Sequence, residues 1–179
     1  MAEEAIVEVA QLLRRRNEID ERMAGLIGRP MTSGHLGEWI ASRVFDIQLE
    51  SLAVTAALDG RFRSGPLAGR SVNVKWYLKQ EGLLDISTAA AVDYYLVLAG
   101  PRAPAASSRG STRPWRIDSV FLFDVVRLLA ELGRRGVRVG VATSVVRSQW
   151  DAAEVYPSPA NQALQLSQRQ VGLLSHFHG

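Results

Sequence analysis

Residues 58–77 read LDGRFRSGPLAGRSVNVKWY, and their alternation decides the fold. Residues 58–63 alternate apolar or small side chains with polar ones, residues 64–69 are rich in Gly and Pro, and residues 71–77 alternate strictly. That pattern predicts two strands joined by a turn, a slightly long hairpin. Residues two apart on a strand share a face. Asp59, Arg61 and Arg63 therefore point one way from the first strand, and Ser71, Asn73, Lys75 and Tyr77 point one way from the second. Val72, Val74 and Trp76 point the other way, into a core with Leu58 and Phe62. The hairpin can thus bring Asp59, Asn73 and Lys75 onto one polar face. That face must look onto a cleft or water, because a buried unpaired charge is too costly to keep.

Upstream, Val9, Leu12, Ile19, Met23 and Leu26 recur at helical spacing, interrupted only by Arg16, and predict one helix over 2–27. Gly28-Arg29-Pro30 ends it. So short a heptad run reads as a helix lying on the core rather than as a coiled coil. Ser33 is the expected N-cap of a second helix running from Gly34 to about Gln48. Leu36, Ile40, Val44 and Ile47 form its apolar stripe, and Glu38 lies on the other side of that stripe.

Downstream, residues 94–99 (YYLVLA) read as a strand buried on both faces. Residues 101–116 (PRAPAASSRGSTRPWR) form a loop with Arg102, Arg109, Arg113 and Arg116 and no acid. Asp118 or Asp124 opens a helix through Leu132, and residues 137–142 (VRVGVA) read as a fourth strand. A short helix over 148–154 is broken by Pro157 and Pro159, and Ser167 caps a terminal helix to Phe177. A hairpin first and a crossover helix later imply a mixed sheet with helices on its faces, an α/β architecture. The 179 residues are expected to form one domain: a helical extension over 1–30, a core over 33–142 and a helical segment over 143–179.

The chain is 47% apolar and 22% charged, as an ordinary globular protein is, which excludes a disordered tail, a collagen and a disulfide miniprotein. Every apolar run is broken by a charge before it could span a membrane. The absence of Cys excludes disulfides, thiolate nucleophiles and Cys-type zinc sites, and leaves a cytoplasmic location unopposed. The start, MAEEAIVEVA, lacks the pattern of a signal peptide. His35, His176 and His178 fit no metal motif. Of 21 basic residues only Lys75 and Lys79 are lysines, and the net charge is +3. That balance is compatible with nucleic acid without by itself arguing for it.

An acid, an amide and an amine side by side on strands suit phosphodiester chemistry. Asp and Asn oxygens can ligate Mg²⁺, a hard ion. A Lys can orient a water or meet charge developing on a phosphate, and unlike Arg it can shift its pKa toward neutrality. Asp59-Gly60 reads equally well as a turn dipeptide. Glu38 alone reads as a solvated helix residue, and Arg14-Arg15-Arg16 as a solvated helix face. Trp115, Trp150 and Tyr156 are expected in packing rather than in base stacking.

A Glu on a helix, an Asp on a strand and acid-x-Lys on the next strand resemble the PD-(D/E)XK, or restriction endonuclease-like, nuclease superfamily. The matching residues are Glu38 in GHLGEWIA, Asp59 in LDGRF, and Asn73 and Lys75 in SVNVKW. The resemblance covers about residues 33–142 and implies an αβββαβ core with a mixed sheet. It also implies Mg²⁺- or Mn²⁺-dependent DNA cleavage, of restriction or repair type. Asp59 would then be a metal ligand, Lys75 would stand beside the attacking water, and Glu38 would be an accessory ligand. The chain departs from the pattern at Asn73, where the family usually has Asp or Glu, although Mrr-type members carry Gln. Metal would be held by Asp59, Asn73 and Glu38, with weakened affinity, and the four loop arginines would follow DNA phosphates. The alternative expectation is a catalytically inactive member acting as a DNA-binding or assembly module. Double-strand cleavage would favour a symmetric homodimer, for which the first helix could supply the interface. No membrane partner is expected.

Overall fold

The computed structural model describes residues 2–50, 57–87, 92–102 and 113–179. Its elements are α1 (Ala2–Ile27), α2 (Ser33–Val44), β1 (Ile47–Leu49), β2 (Gly60–Phe62), β3 (Ser71–Tyr77), β4 (Leu83–Leu84), β5 (Tyr94–Ala99), β6 (Ser119–Asp124), α3 (Val125–Arg134), β7 (Thr143–Ser144), α4 (Arg147–Ala153), β8 (Glu154–Tyr156) and α5 (Gln168–Ser175). A six-stranded mixed sheet runs β1-β2-β3-β5-β6-β8, and β4 pairs with β7 in a small separate ribbon. Within the large sheet β3 and β5 are parallel, and the other neighbours are antiparallel. The protein is therefore mixed α/β.

The alternation of β3 sorts its side chains as the sequence predicts. Val72, Val74 and Trp76 join Leu96 and Leu98 of β5 in a layer closed by Ile40, Ala41 and Val44 of α2 and Leu174 of α5. On the opposite face Tyr95 and Val97 pack with Phe121 and Phe123 of β6, Leu128 and Leu132 of α3, and Trp150 of α4. Trp150 meets both phenylalanines edge-on at 4.8 and 4.9 Å. Helices on both faces explain why β5 and β6 are continuous apolar runs. α2 approaches β3 closely at Gly37, where an added Cβ would stand 3.0 Å from Trp76 Cβ.

Several local signals operate as expected. Ser167 caps α5 through a capping box with Gln170, whose amide also donates to the Val44 carbonyl at 3.0 Å, tying α5 to the end of α2. Asp124, and not Asp118, opens α3, its carboxylate accepting from the Arg127 N–H at 2.9 Å. The N-cap of α2 is Thr32 rather than Ser33. That helix ends at Val44, short of the expected Gln48. Asp46 takes a left-handed conformation (φ 53°) and turns the chain into β1. The Asp46 carboxylate secures the turn by accepting from Arg63 Nε at 2.9 Å and Ser64 Oγ at 2.6 Å.

Four expectations fail. Residues 119–124, which could have belonged to a helix opened at Asp118, form β6. Residues 137–142 form no strand. They alternate, but the place beside β6 is taken by β8, and Val141 is 88% exposed. The segment 143–179 is accordingly not only helical, since it supplies β7 and the edge strand β8. Finally, α1 does not lie along the core: its last two turns rest on the other described residues, and Val9, Leu12 and Ile19 are exposed. Among the described residues no helix is long and apolar enough to cross a membrane.

The edge of the sheet is sensitive at Gly60. A Cβ there would run into the Gln48 carbonyl oxygen and stand 2.7 Å from Ile47 Cγ2. Gly60→Ala should push β1 off β2 and lower stability by about 1–3 kcal/mol in urea unfolding. Gly25→Ala, in a helix with open space around it, should raise stability by up to about 1 kcal/mol. Equal effects of the two substitutions would show that β1 and β2 are not tightly apposed.

Candidate functional site

β2 stops being a partner for β3 just beyond Gly60, and Asp59 fills the place of the missing strand. Its backbone N–H still donates to the Val72 carbonyl at 3.1 Å, while its side-chain Oδ2 accepts the Val74 N–H at 2.7 Å. The carboxylate thus stands in for the next backbone acceptor of the ladder. This disfavours the simple turn reading of Asp59-Gly60. Burial raises the Asp59 pKa above 3.8, and the charge of Glu38 raises it further. The Val74 N–H, Lys75 and Arg29 oppose that shift. Glu38, Lys75 and Arg29 are therefore all near enough to act on Asp59.

Lys75 lies on the predicted polar face of β3. Its Nζ stands 5.5 Å from the centroid of the Tyr95 ring and makes no hydrogen bond or ion pair with any described residue. Burial lowers its pKa, and the carboxylates of Asp85 and Asp59 partly restore it. Asn73 is buried. Its Nδ2 donates to the Ala57 carbonyl at 2.9 Å, and its Oδ1 has no partner among the described residues. Asn73 and Lys75 thus lie two residues apart on β3, and Asp59, bonded to the Val74 N–H between them, is near enough to act on Lys75, in keeping with the alternation. Glu38, on α2, is near enough for its charge to act on Asp59 and is ion-paired with Arg29, while α2 itself covers the other face of β3, that of Val72, Val74 and Trp76.

Sequence reasoning missed Asp85. It follows β4, where its N–H donates to the Tyr77 hydroxyl at 2.9 Å and its Oδ1 accepts from the Ala142 N–H at 2.7 Å. The β4–β7 ribbon brings it near enough for its charge to act on Lys75. Its trace in the sequence is a lone acid in the apolar stretch LLDI. Tyr77 is held as a neutral phenol, its pKa raised chiefly by burial.

The three described loop arginines are spread out and paired. Arg102 meets Asp151 at 3.0 Å, Arg113 meets Glu81 at 3.7 Å, and Arg116 meets Asp118 at 2.9 Å. Arg109 lies outside the described residues. A stretch without acids of its own has borrowed them from α4, from the β3–β4 connection and from the approach to β6. The other lysine, Lys79, is buried against Glu81 at 3.1 Å.

The donors suit a hard cation in kind: one backbone-oriented carboxylate, a buried amide oxygen without a partner, and Glu38 nearby. They do not form a closed cage. Among the described residues no group of three or more Asp, Glu or His side chains is placed to hold a metal. Mg²⁺ does not require one, since it commonly keeps several waters and takes one or two carboxylates. No family model matches the chain, and no curated protein matches it.

Because its pKa is raised, folding disfavours the ionised form of Asp59. The cost is absent below pH 3.8, where the group is protonated in both states, and grows as pH rises through the window up to the raised value. Asp59→Asn, which can still accept from Val74, should match the wild type in acid and unfold at a higher temperature at neutral pH. Thermal melts across pH check this. A variant less stable than wild type at neutral pH would mean that the carboxylate is a structural ion-pair partner.

Proposed function

We propose that this protein is a metal-dependent nuclease that hydrolyses DNA phosphodiester bonds, built on a restriction endonuclease-like core. The observation that carries the proposal is Lys75: an amine with a lowered pKa and no hydrogen-bond or ion-pair partner among the described residues, near a carboxylate fixed by the backbone of its own strand. Such an arrangement costs stability and is unlike a structural salt bridge, in which the partners would touch. The succession α2, β2, β3, β5, with β3 and β5 as neighbours, is also in keeping with the resemblance. β6, inserted before α3, takes the next place in the sheet, and β8 rather than residues 137–142 takes the far edge.

In this reading Asp59 and Asn73, with Glu38 drawn from Arg29, hold Mg²⁺ or Mn²⁺. The cation, when bound, supplies neutralising charge to the phosphate and a more acidic water. Lys75 orients the attacking water and meets the charge that builds on the phosphoryl oxygens. The water gives up a proton to solvent as its oxygen forms the new bond to phosphorus, the bond to the leaving sugar oxygen breaks, and that oxygen takes a proton from solvent. The Val74 N–H keeps Asp59 aligned throughout, and the Tyr95 ring supports the ammonium form of Lys75.

A second reading has one observation in its favour. Asn73 removes a negative charge from the site, and no three-ligand cluster is present among the described residues. A catalytically silent DNA-binding or assembly module would tolerate both.

Plasmid and linear DNA incubated with the protein in Mg²⁺ or Mn²⁺ should be cut, and chelation should stop the reaction. Lys75→Ala and Asp59→Ala should each lower the rate by about 10²-fold or more. Cleavage that persists in both variants would remove the site from consideration. Salt-sensitive binding without cleavage would select the silent module.

Arg113 is half-exposed and only loosely paired. Arg109→Glu combined with Arg113→Glu should weaken DNA binding and reduce the slope of log K against log salt by about 1 for each phosphate no longer neutralised. An unchanged slope would mean that this loop does not touch phosphate.

A further inference from the structure

The first helix is long, and most of it stands clear of the other described residues. Among its described side chains part-burial is confined to Ala10, Asp20, Met23, Ala24 and Ile27, and α2 is the element it chiefly meets. From residue 5 to residue 19 every side chain except Ala10 is exposed. That free stretch is about 22 Å long, and Ile6, Val9, Leu12, Leu13 and Ile19 are each more than half exposed along it. In a globular protein a helix owes most of its stability to an apolar face packed against something. This face has no such support among the described residues.

We propose that the free stretch of α1 is a homodimer interface, in which two copies pair as antiparallel helices about a twofold axis. The charges along the helix select the occupant and the direction. In heptad terms Val9 and Arg16 occupy the a positions, Ala5, Leu12 and Ile19 the d positions, and Glu8 and Arg15 flank the seam at g. A parallel in-register pair would set Arg16 of each copy directly against the other. An antiparallel pair with Val9 facing Leu12 of the second copy instead sets Arg16 against the small Ala5, over which its stem can lie. In that same register Glu8 lies beside Arg15 of the second copy, twice by symmetry, and Ile6 lies beside Leu13. Neither Glu8 nor Arg15 makes an ion pair with a described residue in the isolated chain. Sliding by one heptad, so that Val9 faces Ile19, brings Arg15 against Arg15 at the axis and Arg16 against Leu12. The favoured register also ends near Ile19, where α1 begins to rest on its own subunit. An acidic start and a basic middle on one helix are thus complementary to a reversed copy of that helix, and the isologous pairing closes on itself.

Sedimentation of the full chain over a range of concentrations tests this. The wild type should dimerise, and Leu12→Asp should be monomeric at every concentration reached. Glu8→Arg and Arg15→Glu should each weaken the dimer by on the order of tenfold, through two like-charge pairs. The Glu8→Arg/Arg15→Glu double variant should recover the wild-type dissociation constant, because the pair is re-formed with signs exchanged. The chain has no cysteine, so introduced thiols report without interference. A mixture of Val9→Cys and Leu12→Cys proteins should cross-link between the two variants. A chain that stays monomeric throughout, a double variant no better than either single one, or cross-linking of Val9→Cys only to itself would each overturn the proposal.

Discussion

Six consecutive register pairs, from Val72 with Tyr94 to Tyr77 with Ala99, join β3 to β5 in parallel at the centre of the sheet. Much else depends on that pairing. It gives β3 two faces of opposite character. Val72, Val74 and Trp76 seal the layer under α2, and Asn73, Lys75 and Tyr77 emerge on the side of Tyr95. A slip of one residue would exchange the faces, placing Lys75 under α2 and taking Trp76 out of that layer. β5 resists the slip because it is buried on both sides and held on its other edge by β6. The position of the candidate site is therefore fixed by the least polar strand of the molecule.

The site is where the sheet is least regular. Asp59 takes over a backbone acceptor's role at the point where β2 leaves β3, and Asn73 reaches across to the Ala57 carbonyl. These bonds hold the chain before β2 without a continuous ladder. They also hold a carboxylate, and an amine near it, in surroundings that disfavour both charges. The cations farther from the site behave differently: Arg102, Arg116 and Lys79 each sit within ion-pair distance of an acid. Lys75 stands apart from them in having no such partner among the described residues.

Local patterns were legible wherever a short-range rule governs. α1 has the predicted extent, Ser167 and Asp124 cap the helices expected of them, and the alternation of residues 71–77 sorts its two faces correctly. The failures are of competition. Residues 137–142 alternate as well as many strands do, but β8, only three residues long, holds the edge they would need. Residues 119–124 form a strand because β5 offers them a complete edge, from Tyr94 with Asp124 to Ala99 with Ser119. Both outcomes turn on which segment reaches an edge, which periodicity does not encode.

The sequence by itself determined the mixed α/β class, the polar face that carries Asp59, Asn73 and Lys75, and the apolar stripe of α1. Each follows from spacing along the chain, since side-chain direction repeats with period two in a strand and 3.6 in a helix. Tertiary structure alone decided that most of that stripe is left uncovered by the other described residues, that Asp85 acts on Lys75, and that Arg102 and Arg113 find acids far along the chain. Those relations join residues that are neighbours only after strands have paired and ribbons have folded back. No local rule relates Arg102 to Asp151, and only the packing of distant segments brings the two charges within 3.0 Å.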